Sequence, residues 1–357
     1  DFIAGVSEGR SRGERGVAAK LHLPILRAGG VKAVCEHVAG DTPYFSTLAF
    51  RNVRPLQPTK FALQALDYWH SEIDESPEWL LVQDAEDFTR AERESRIAVV
   101  FGFEGAMPVD DDLGILRMFH RLGVRSVGLT WNGRNLLGDG VAVGAGGGLT
   151  RYGREAVAEM NRLGMMVDVS HVADATFWDV IETTSAPIMA SHSSCRALAD
   201  HPRNMSDEMI RALAENGGVI QINFYPGYID PARVALLAKL RPEFDGIAKK
   251  FADEPLKLTA ARRELFKRAI AEAGGPSPAH WVVDHIEHVI KLVGDDYVGL
   301  GADWDGVPEM PEGLEDASKV GSISEELVRR GYGERTIKKV MGGNLLRVMR
   351  KVEKKAE

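Results

Sequence analysis

The sequence predicts an α/β fold: a parallel (β/α)8 TIM-like barrel whose first strand lies upstream of Asp1. Three observations carry this reading. Short apolar runs alternate with helical patterns along the chain, the signature of βα units and a parallel sheet. Three runs end in a His or Asp: V-D-V-S-H at His171, M-A-S-H at His192, and G-L-G-A-D-W-D-G around Asp303. Side chains at strand ends converge on one mouth in a barrel. The 357 residues, 44% hydrophobic and 27% charged, suit one large core, and α/β barrels commonly take this length as a single domain. We therefore expect one domain over 1–357, with a helical insertion at about 230–280.

Seven strand runs can be read in order. They are 31–38 (VKAVCEHV), 97–103 (IAVVFGF), 124–130 (VRSVGLT), 165–169 (MMVDV), 187–190 (PIMA), 218–224 (GVIQINF) and 297–301 (YVGLG). Each is nearly continuously apolar, as strands buried on both faces are. Between them 113–122, 153–163 and 207–214 carry apolar residues at i, i+3 and i+4, which predicts helices. Two segments break the rhythm. The glycine-rich 136–149 (LLGDGVAVGAGGGL) reads as a flexible surface loop, since no G-x-G-x-x-G opens a helix there. The charged 230–280 reads as the helical insertion, with lid, dimer contact and decoration all open.

Composition excludes several function classes. The net charge is −8 with both signs interleaved, so no basic stripe marks a nucleic-acid partner. No run reaches ~18 apolar residues, so no membrane span is expected. Cys35 and Cys195 are too few for a disulfide framework and read as buried thiols. A cytoplasmic location follows, unless a secretory signal preceded Asp1. A homodimer is compatible with the sequence.

The chemistry sits at the strand ends. Of the ten histidines, His37, His70, His120, His285 and His288 fall within strand or helix patterns and read as structural. His171 and His192 follow apolar strands directly and precede polar turns. With Glu104 after IAVVFGF and Asp303 after YVGLG they offer the imidazole and carboxylate donors that suit zinc. Glu104, flanked by glycines in G-F-E-G, is the candidate to bridge two metals, and Asp303 or Asp305 to move a proton.

These segments, written V-D-V-S-H-V-A-D, S-H-S-S, H-P-R-N-M-S-D, G-A-D-W-D-G-V-P-E-M-P-E-G-L-E-D and G-G-N-L-L-R-V, together resemble the renal (membrane) dipeptidase family. The resemblance runs from about Leu26 to Val352. It implies a barrel of the metallo-dependent hydrolase type holding two Zn2+ per chain. It implies zinc-dependent hydrolysis of dipeptides, including those with a C-terminal D-residue, by a metal-bridged hydroxide. Position by position, Glu104 is similar to the bridging carboxylate, His171 and His192 to the ligands of the second zinc, and Asp303 to the proton-shuttling acid. Arg203 is similar to the arginine that holds the substrate carboxylate, and Tyr228 to a substrate-contacting tyrosine. Asp1 falls where an H-x-D motif would end the first strand, and the resemblance implies that it is that ligand.

One position departs from the family's pattern. Where relatives often carry a His after the strand ending L-T, this chain has Trp131. Indole offers one neutral donor, so Trp131 is expected as a pocket wall or a partial replacement, with Asn132 or Arg134 beside it as helpers at the substrate. Two other functions stay open from the residues: a barrel hydrolase acting on another amide, lactam or ester, and a catalytically dead binding protein. Arg203 favours a substrate with a free carboxylate.

Overall fold

The computed structural model describes residues 3–41, 57–144, 146–252 and 254–356. Eight strands occur among them: β1 (Ala33–Gly40), β2 (Trp79–Leu81), β3 (Ile97–Glu104), β4 (Val124–Gly128), β5 (Met166–Asp168), β6 (Met189–Ser193), β7 (Val219–Asn223) and β8 (Val298–Gly301). All their pairings are parallel, in the order β1-β3-β4-β5-β6-β7-β8. The sheet curls as expected of a TIM-like barrel, and no β8–β1 pairing occurs among the described residues. The seven expected strands are all present, with ends shifted by at most three residues. The strand not foreseen is β2, which pairs Trp79–Leu81 with Ile97–Val99 of β3. At three residues it is too short to show any period.

Burial explains the strands. All eight residues of β3 are buried, as are all of β4, β6 and β7. Fifteen α-helices among the described residues link or flank them in chain order: α1 (Ile3–Ser11), α2 (Val17–Ala28), α3 (Pro58–Glu75), α4 (Glu86–Arg93), α5 (Leu113–Arg121), α6 (Arg151–Leu163), α7 (Asp174–Thr183), α8 (Asp207–Glu215), α9 (Pro226–Ile229), α10 (Pro231–Lys250), α11 (Pro255–Glu272), α12 (His280–Val293), α13 (Gly321–Arg329), α14 (Glu334–Lys338) and α15 (Asn344–Glu353). Three expected helices start on side-chain caps. Asp112 accepts from Gly114 N, Thr150 from Gly153 N and Ser206 from Met209 N, each satisfying an orphan donor of the first turn. No helix among the described residues is long and apolar enough to cross a membrane.

The N-terminal end of the sheet is closed by α15. Val348, Met349 and Val352 pack against Met166, Met189 and Val219, at the starts of β5, β6 and β7. Arg347 donates to the Gly217, Gly218 and Asp296 carbonyls just before β7 and β8. With that end filled, the C-terminal strand ends form the open mouth. Two details depart from expectation. Cys195 is buried but Cys35, on β1, is exposed. The glycine-rich segment is anchored, not loose. Asp139 is buried, pairs with Arg134 and accepts from Gly147 N, and a Cβ on Gly140 would lie 2.1 Å from the Trp131 carbonyl oxygen.

His285 on α12 is fully buried. Its Nδ1 accepts from Cys195 N and its Nε2 donates to the Ile229 carbonyl. Burial pulls its pKa from 6.5 down to about 4. Between those values the unfolded chain binds the proton and the fold does not. Its contribution is therefore complete above pH 6.5 and drains away as the pH falls towards 4, by on the order of 3 kcal/mol. Urea midpoints measured between pH 7 and 4.5 should fall more steeply for the parent than for His285→Gln. Parallel slopes would count against this account.

Candidate metal centre

Six polar groups of the mouth arrive at or near a strand end. Glu104 is the last residue of β3, Asp168 of β5 and Asn223 of β7, His192 lies near the end of β6, and His171 and Asp303 follow β5 and β8. Glu104 Oε1 stands 2.7 Å from His171 Nε2 and 3.1 Å from His192 Nε2, and the two Nε2 atoms are 2.8 Å apart. All three side chains are buried. Gly105 turns the chain away behind Glu104 at φ +104°, where a Cβ would meet the Asp41 carboxylate at 2.4 Å. Asp41 itself accepts from Met107 N, Trp131 N and the Asn135 amide, tying these loops together.

The outer nitrogens decide what the inner ones can do. His192 Nδ1 lies 2.7 Å from Ser191 Oγ, which donates to Asp168 Oδ2 at 2.5 Å. Asp168 Oδ1 is held in turn by the Ser170 and Ser191 N–H groups. A hydroxyl that donates to Asp168 must accept from His192, so Nδ1 carries the proton and Nε2 keeps its lone pair. His171 Nδ1 likewise meets Asn132 Oδ1 at 2.9 Å, which leaves its Nε2 lone pair inward. Two lone pairs and a carboxylate oxygen thus face one another at contact distance. That array calls for a cation, and the spacings are close to the ~3.3 Å separating donors around a tetrahedral ion with ~2.05 Å bonds. The two imidazoles differ in their electrostatics. Burial and the Arg203 charge hold His171 well below its ordinary pKa. Burial also opposes a proton on His192, but the Glu104 hydrogen bond with the Asp303 and Glu104 charges outweighs it and the net shift is upward. The donor set fits a metal ion.

His37, read from sequence as structural, belongs to this group. One of its nitrogens lies within 4.8 Å of ligand atoms of Glu104 and His192. Its Nε2 is buried without a hydrogen-bond partner among the described residues, and the nearest Asp168 oxygen is 4.0 Å away. The space it uses exists because its neighbour across the ladder is Gly102, where a Cβ would stand 2.9 Å from His37 Cδ2. Only the strand order, which sets β1 beside β3, marks it. Asp168 also went unassigned, although it stands inside V-D-V-S-H.

The remaining expected residues surround the cluster. Asp303 Oδ2 accepts from Asn223 Nδ2 at 3.0 Å. His171, Asp303 and Asp305 all adopt left-handed φ, at +69°, +63° and +65°, an uncommon conformation for such residues that clusters at working sites. Arg203 is buried; it donates to the His192 carbonyl at 3.0 Å and more weakly to Ser193 Oγ, and its Nε has no hydrogen-bond partner among the described residues. The Tyr228 ring lies 5.4 Å from the guanidinium. Trp131 sets its ring 6.0 Å from that of His171. Asn132, expected at the substrate, sets its Oδ1 on His171, and Arg134 pairs with Asp139. Asp1 lies outside the described residues.

Removing the hydroxyl that fixes His192 should loosen the donor set without touching a donor. Ser191→Ala should weaken divalent-metal affinity about 10–100-fold, read by competition with a chromophoric chelator. Unchanged affinity with an unchanged circular dichroism spectrum would refute the relay.

A model of the membrane dipeptidase family (peptidase family M19) matches residues 14–357. The chain is 37% identical to the "uncharacterized dipeptidase C965.12" of Schizosaccharomyces pombe, over 76% of this chain and 57% of that protein. It is 34% identical to dipeptidase tcpJ of Claviceps purpurea, over 76% of this chain and 55% of that one. It therefore spans little more than half the length of these relatives. Among solved structures it resembles the probable dipeptidase PvdM of Pseudomonas aeruginosa, at 28% identity and a TM-score of 0.75, covering 94% of this chain and 89% of that one.

Proposed function

Since the chain belongs to the membrane dipeptidase family, peptidase family M19, we propose that it hydrolyses dipeptides, those with a C-terminal D-residue included, in a zinc-dependent reaction at the Glu104 cluster. The observation that carries the proposal is the meeting of Glu104 Oε1 with two imidazole Nε2 atoms at 2.7 and 3.1 Å, each imidazole held in the metal-binding tautomer from behind. Glu104, His171 and His192 would hold zinc, with Glu104 shared by two ions and Asp1 and His37 as the further donors. Bound zinc supplies Lewis acidity that polarises a carbonyl and acidifies water.

The chain's own groups do the rest. Asp303 faces His192 closely enough for its charge to favour that ring's protonated form. Asn223 engages Oδ2 and leaves Oδ1 to carry a proton to the departing amine. Arg203 is anchored by the end of β6 through two contacts. A guanidinium has five donors, and those not spent on β6 or on the Tyr228 hydroxyl can meet a substrate carboxylate. Trp131 forms a wall beside His171. The buried cation at Arg203 favours free dipeptides over neutral amides, lactams or esters, the second reading of this barrel.

Three outcomes test this. Complete chelation should abolish dipeptide hydrolysis and added zinc should restore it, with metal analysis approaching two ions per chain; full activity in chelator would refute the zinc reading. Asp303→Asn should lower kcat ~10²–10⁴-fold at unchanged metal content, and a near-normal kcat would remove Asp303 from the chemistry. Arg203→Ala should raise KM for free dipeptides, and the parent should cleave C-terminally amidated dipeptides poorly. Equal cleavage of amides and acids would favour the second reading.

A further inference from the structure

Outside the metal cluster the mouth continues into a cavity of about 800 Å³. Its inner end is made by Trp131, Asn132 and Tyr228, the residues that stand against His171 and Arg203. Its outer wall belongs to α10 and α11, through Leu237, Ala238, Phe244 and Phe266. The Phe244 and Phe266 rings meet at 4.8 Å with a 48° tilt, bracing the two helices across the opening. Leu240, Leu265 and Ala269 form a small buried core of their own behind this wall, with Leu237 and Phe244 packed on it. The helix pair is seated tightly on the barrel, since a Cβ on Gly227 would come within 2.9 Å of Leu237 Cδ1.

This volume lies in the range of pockets that enclose drug-sized ligands, well beyond the side chains of a small dipeptide. The lining sets Leu237, Ala238, Phe244 and Phe266 on one side and the polar Asp200, His201 and Arg262 around them, and the charged Arg241 and Asp245 pair with each other at 3.1 Å. The aromatic and aliphatic part of that surface takes apolar bulk. Its position names the part of the substrate it receives: the Tyr228 ring that lines the cavity also stands over Arg203. A carboxylate on Arg203 would place the side chain of the same residue in the cavity. We infer that the α10–α11 pair forms a specificity pocket for a bulky apolar, preferably aromatic, side chain on the C-terminal residue of the substrate. The inference rests on the dipeptidase reading and adds to it the substrate class.

The test measures kcat/KM of the zinc-loaded protein for Ala-Ala, Ala-Phe and Phe-Ala, each with an L or D C-terminal residue. The parent should prefer Ala-Phe over Ala-Ala by about tenfold or more, the scale on which apolar pockets discriminate. Phe244→Ala should remove most of that preference while Ala-Ala stays within about twofold. Should that variant fold poorly, Ala238→Trp fills the pocket from an exposed position without emptying the small core, and it should depress Ala-Phe selectively. Equal losses on all substrates, or losses confined to Phe-Ala, would overturn the pocket assignment. Hydrolysis of Ala-Ala with indifference to Phe in the parent would overturn it too, while leaving the dipeptidase reading intact. No hydrolysis of any dipeptide would sink the dipeptidase reading and this inference with it.

Discussion

Two imidazole nitrogens with inward lone pairs, pressed against one carboxylate oxygen, form an arrangement that repels itself unless a cation sits among them. The parallel sheet makes the arrangement possible. Glu104, His171 and His192 are brought together only because β3, β5 and β6 run the same way and end at the same mouth. The sheet's opposite end is stoppered by α15 and the Arg347 contacts, which reserves the C-terminal end for chemistry. Around the cluster the fold accepts local backbone strain at three positions, His171, Asp303 and Asp305, and the packing of the barrel holds them there.

The supporting groups are as ordered as the donors. Asp168 holds two backbone amides and the Ser191 hydroxyl, and through that hydroxyl it fixes His192. Asn132 does the same for His171. Asp41 ties the loop after β3 to the loop after β4, so Glu104 and Trp131 share one anchor. A change in any of these acts on the donors without contacting a substrate.

Much of this was legible in the sequence. The strands were visible because a sheet buried on both faces leaves continuous apolar runs, and His171, His192 and Asp303 stood out because polar residues end those runs. Three kinds of information were not legible. Trp79–Leu81 is too short to carry a period. His37 sits inside a strand, and what makes it part of the centre is the neighbour across the ladder, a matter of strand order. The glycine-rich segment looked loose because composition does not reveal that Asp139, one residue inside it, gathers Arg134 and Gly147, or that Gly140 is pressed against the Trp131 carbonyl.

The small separate core of Leu240, Leu265 and Ala269 has an evolutionary consequence. The barrel's own packing does not share these residues, and energetic effects of distant, unconnected sites add almost independently. Substitutions among Leu240, Leu265 and Ala269 can therefore accumulate with little draw on the stability that holds the strand-end donors in place. A lineage carrying this architecture can remodel one peripheral module by drift while the cluster at the strand ends stays constant.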